Sequence, residues 1–69
     1  MDIVEKELAS RKSEIQTELE ILFKVNMKIT DWDVAEADDQ KAAEILVSIL
    51  QEKLDSIKTD VESGKYLNY

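Results

Sequence analysis

Cysteine, histidine and proline are missing from this 69-residue chain, and glycine occurs once, at Gly64. Each absence removes something. Without Cys there is neither a disulfide nor a thiolate metal site. Without His the commonest transition-metal ligand and the commonest neutral-pH general base are gone. One Gly cannot build a glycine-rich loop that cradles phosphate. With no Pro at all, residues 1–63 contain no strong breaker of regular structure. Aromatic side chains are also few: Phe23, Trp32, Tyr66 and Tyr69.

Positive charge is scarce too. Nine basic side chains face sixteen acidic ones, for a net charge of -7. Residues 1–30 carry six acids and five bases, whereas residues 31–69 carry ten and four. A nucleic-acid binder needs a cationic track that releases counterions, and an anionic membrane surface repels such a chain. No apolar run approaches the ~20 residues of a membrane span. The start, Met1-Asp2 followed by Glu5, Lys6 and Glu7, does not read as a secretion signal, so a cytoplasmic location is expected.

What is present is helix-forming sequence. Glu, Lys, Ala, Leu and Gln dominate, and no segment alternates apolar and polar residues as a half-buried strand would. The expected fold is all-α: an antiparallel helical hairpin of two long helices, forming a single domain over 1–63 with a tail at 64–69. The first helix is expected over about 3–29. Met1, Leu8, Ile15, Leu22 and Ile29 fall seven apart, with Val4, Leu19 and Val25 beside that line and Arg11, Lys12 and Asn26 interrupting it. Acid-first pairs four apart (Asp2–Lys6, Glu7–Arg11, Glu20–Lys24) would support the polar side. In the second helix Ala43, Val47, Leu50, Leu54, Ile57 and Val61 follow the alternating four-three spacing of a coiled-coil seam, widened by Ala42, Ile45, Leu46 and Ile49. It should stop near Ser63, with Gly64 in a left-handed conformation.

The reversal is expected within 30–39, made by side-chain caps rather than a glycine turn. Thr30 with Asp33 has the spacing of a capping box, Asp33 with Glu36 offers a second start, and Asp38 a third. A short helical turn at 31–37 fits the same residues, as does one helix over about 31–63 with the break at 28–31.

Nothing in the chain assembles a catalytic group. Ser10, Ser13, Ser48, Ser56 and Ser63 have no His to activate them, and Glu14 and Glu18 lie one turn apart on a solvated helix, without the burial that shifts a pKa. No catalytic residue, cofactor or metal is therefore expected, and the chain does not read as an enzyme. The acids Asp31, Asp33, Glu36, Asp38 and Asp39 invite a calcium loop, but its sixth and twelfth positions counted from Asp31 hold Glu36 and Ala42 instead of Gly and Glu. Helix capping accounts for them more simply.

Function is then expected on the apolar faces. A small domain without disulfides or metals is marginal alone, and a hairpin satisfies only one seam per helix. Surplus apolar surface marks an interaction site. The expected partner-binding residues are Phe23, Met27, Trp32, Ile45 and Ile49, with Tyr66, Leu67 and Tyr69 of the tail. The partner is expected to be a protein, either a second copy or a different helical chain, and the role that of an adaptor, small chaperone or assembly factor. Two alternatives stand beside this reading. One is an acidic inhibitor or nucleic-acid mimic that offers Asp31, Asp33, Glu36, Asp38 and Asp39 to a basic groove. The other is a structural homodimer within a larger assembly.

Overall fold

The chain folds as two long helices and a turn, all-α and without strands among the residues described, 2–68, of this computed structural model. Helix α1 spans Ile3–Asp33 and α2 spans Asp39–Glu62. The molecule measures 49 × 27 × 17 Å.

Both helices start at an aspartate. Asp2 adopts extended backbone and accepts a hydrogen bond from the Glu5 amide at 2.8 Å, so its carboxylate caps α1 and leaves Lys6 aside. Asp38 does the same for α2, accepting from the Lys41 amide at 3.1 Å. Each cap satisfies one of the amides that a helix start leaves unpaired. Of the three acid–base pairs expected along α1, Glu20–Lys24 forms at 2.9 Å, while Arg11 leans toward Glu14 at 3.8 Å.

Helix α1 runs four residues beyond the expected end. Thr30 does not cap anything; its hydroxyl donates to the Asn26 carbonyl at 2.9 Å, one turn back. No breaker follows, so the helix propagates through Trp32 to Asp33. Val34 then leaves the helical region, its amide still closing on the Thr30 carbonyl at 2.9 Å. Residues 34–38 make the reversal, with Val34 and Asp38 extended and the Ala37 amide bonded to the Val34 carbonyl. No separate helix forms at 31–37, and the break falls after Asp33 rather than at 28–31. The turn contains no left-handed residue, as expected of a reversal built from caps.

Helix α2 ends as the sequence implies. Gly64 has φ +85, the one positive φ among the described residues. Its amide bonds the Val61 carbonyl and the Lys65 amide bonds the Asp60 carbonyl, a reciprocal closure that a left-handed glycine permits. The Lys65 ammonium also reaches the Asp60 carboxylate at 3.4 Å. Residues 63–68 continue as successive turns, and the Leu67 amide returns to the Gly64 carbonyl.

No described residue is fully buried. Most of the half-buried ones lie toward the turn: Phe23, Asn26, Met27 and Thr30 on α1, Ala37 in the turn, and Ala42, Ala43, Leu46 and Leu50 on α2, with Asp60 and Gly64 at the far end. Three- and four-residue spacing puts each set on one helix face, and small Ala42 and Ala43 let the rods approach closely there. Asn26 and Thr30 enter this contact without a cross-helix partner. Each bonds a carbonyl of its own preceding turn, which satisfies the polar group locally.

Candidate functional site

Away from the turn the facing seams do not close on each other. An open cleft of about 540 Å³ lies between the helices. Leu19, Leu22 and Phe23 form its α1 wall, and Val47, Leu50, Leu54 and Ile57 its α2 wall. Gln16, Glu20, Gln51 and Lys53 stand at the rim. The lining is chiefly apolar, and most of it faces solvent: Leu19, Val47 and Leu54 are each 54–55% exposed.

Helix α1 carries two apolar lines that do not coincide, and the cleft wall follows the first of them, with Leu22 joining from the second. The line that meets α2 passes through Phe23 and Met27. The line of sevenfold spacing, Leu8–Ile15–Leu22–Ile29, lies roughly 110° around the helix from it, at about 100° per residue. All four members of that second line are exposed. On α2 one face serves both: Ala43 and Leu50 are half-buried, Val47, Leu54 and Ile57 are exposed, and all but Ala43 line the cleft.

Total surface makes the same point. A compact protein of this mass exposes roughly 4,400 Å², against 6355 Å² here. The excess of about 1,900 Å², polar and apolar together, reflects two rods that cover little of each other.

The residues expected to bind a partner fall in four places. Phe23 joins the helix contact and the cleft wall, and Met27 lies half-buried in the contact beside it. Ile45 and Ile49 face outward on α2, where Ile49 borders a shallower depression with Glu52, Lys53 and Ser56. Trp32, in the last turn of α1, is 81% exposed. In the tail, Tyr66 and Leu67 lie in the turns after Gly64, while Tyr69 is outside the described residues. Leu19, Leu22, Val47, Leu54 and Ile57, which their spacing assigns to the internal seams, line the opening instead.

The acids cluster around the reversal. Asp38 is occupied as a cap. Hydrogen bonding to the Asp39 side chain, then desolvation and the neighbouring charge of Asp39, raise the Asp31 pKa above its ordinary value. Among the described residues no three acidic side chains converge as metal ligands. Nor is any helix long and apolar enough to cross a membrane.

Fold and cleft together define a two-helix hairpin with an open apolar face. Comparison with protein-family models, curated proteins and solved structures finds no match to the chain.

Proposed function

We propose that this chain is a non-enzymatic protein–protein interaction module that works in the cytoplasm by packing its open apolar face against a further helix. The observation that carries the reading is the cleft between α1 and α2, walled by leucine, isoleucine, valine and phenylalanine with no segment of the described chain laid across it. A third or fourth helix is the natural filler of such a groove, because ridges of side chains on one rod seat between those of its neighbours. Charge supports this placement. The rim bears one acid, Glu20, and one base, Lys53, so the chain's acidity lies elsewhere.

The reading predicts that the dilute chain binds an apolar fluorescent dye, and that Leu54→Asp abolishes that binding while helix content is kept. Leu54 is 55% exposed, so the substitution costs the hairpin little. A dilute chain that is rigid and leaves the dye in water would overturn the proposal.

A further inference from the structure

We propose that the open apolar surface beside this cleft, the Leu8–Ile29 line of α1, is covered by a second copy of the same chain, bound antiparallel with α1 against α1, so that two hairpins close into a four-helix bundle. This rests on the helix-packing reading above and names its partner. The area is of the right size. Each chain exposes about 1,900 Å² more than a compact protein of its mass, so a pair has surface enough to supply the roughly 2,000–5,000 Å² that obligate homodimers bury.

Helix lengths point the same way. Helix α1 has 31 residues and α2 has 24, so α1 overshoots its own partner by about 10 Å at 1.5 Å per residue. The overshoot carries Ile3 and Val4, which are 87% and 66% exposed. A rod as long as α1 can cover them.

Charge register fixes the direction. Beside the Leu8–Ile29 line runs a second line of sevenfold spacing: Val4, Arg11, Glu18, Val25 and Trp32. A parallel pair would set Arg11 against Arg11 and Glu18 against Glu18, and like charges at such positions oppose association. In an antiparallel pair whose two-fold axis passes between residues 14 and 15, each Arg11 faces Glu18 of the second copy, and each Val4 faces Val25. Arg11 is available for this, since its approach to Glu14 is only 3.8 Å and half of its side chain is exposed. The two-fold operation makes both contacts twice from one patch, as closed dimers do.

Sedimentation equilibrium of the full chain, with helix content followed by circular dichroism, tests the proposal. The wild-type chain should sediment at twice its 7.9 kDa. Arg11→Glu should weaken the dimer by about tenfold or more, and adding Glu18→Arg should bring it back to within about threefold. A spin label at Lys28→Cys, in a chain with no other cysteine, should report a separation of roughly 40 Å across the axis, against ~15 Å for a parallel pair. A parallel distance, or a dimer indifferent to the charge swap, overturns the arrangement. A monomer that still binds dye in a Leu54-dependent way overturns the second copy and leaves the groove reading intact. A monomer that binds no dye overturns both.

Discussion

The carboxyl groups of Asp31, in the last turn of α1, and Asp39, the first residue of α2, are neighbours across the hairpin turn, and Asp39 raises the pKa of Asp31. A hydrogen bond between two carboxyls requires a proton, so the pair favours the turn when Asp31 is protonated and strains it when both groups are charged. The helix dipole adds to the strain on one side only. An acid suits the start of α2 but not the end of α1, whose last turn has no base.

The pH dependence follows from the direction of the shift. The folded-state pKa of Asp31 is raised by its bond to Asp39, by desolvation and by that neighbour's charge. The folded state therefore binds the proton more tightly than the unfolded state does. The resulting stabilisation is fully present below the ordinary value of 3.8 and is lost as pH rises through the raised value. Asp31→Asn should accordingly raise the melting temperature at pH 7 and lose that advantage in acid, as read by thermal denaturation over pH 3–7.

Asp38 fixes where α2 begins, through its bond to the Lys41 amide. Asp38→Ala should cost about 1 kcal/mol, the usual loss for an aspartate cap. Hydrogen exchange should show the effect concentrated in the first turn of α2. Asp2→Ala removes an equivalent bond from α1 but should cost the fold less, because Ile3 and Val4 beside it pack against nothing in the hairpin.

Gly64→Ala should destabilise the end of α2 by roughly 1 kcal/mol, since φ +85 is strained for any residue with a Cβ. An added Cβ would also lie 3.1 Å from Leu67 Cδ1, so that exposed side chain must shift by a small fraction of an ångström. Loss of protection at Lys65 and Leu67, with the α1–α2 contact unchanged, is the expected exchange pattern.

Salt separates a like partner from an unlike one. Two copies each carrying -7 repel, so added salt should tighten self-association by screening. A basic partner for the acids at 31–39 would be released under the same conditions. Sedimentation from about 0.05 to 0.5 M sodium chloride reads the sign of the effect.

Helix type, the capped reversal and the glycine stop were legible because each depends on local chemistry. Asp38, Ser63 and Gly64 bond their own neighbours, and the pattern of residue types carries that information. The exact end of α1 was less legible. Thr30 can cap a new helix or bond back within the old one, and both use the same hydroxyl. The groove was hidden for a different reason. Periodicity shows that Leu22 and Leu54 lie on apolar lines, but which line meets which depends on the rotation of one rod against the other. Here the half-buried residues nearest the turn are Phe23 and Met27 on α1 and Ala42 and Ala43 on α2.

The central claim is that two helices leave the apolar line of α1 uncovered until another chain arrives. Amide hydrogen exchange of residues 3–22, measured across a concentration series of the pure protein, tests it most directly. Protection in that stretch should be slight in dilute solution and rise with concentration as Leu8, Ile15 and Leu22 become covered. Strong protection there that is the same at every dilution would contradict the account.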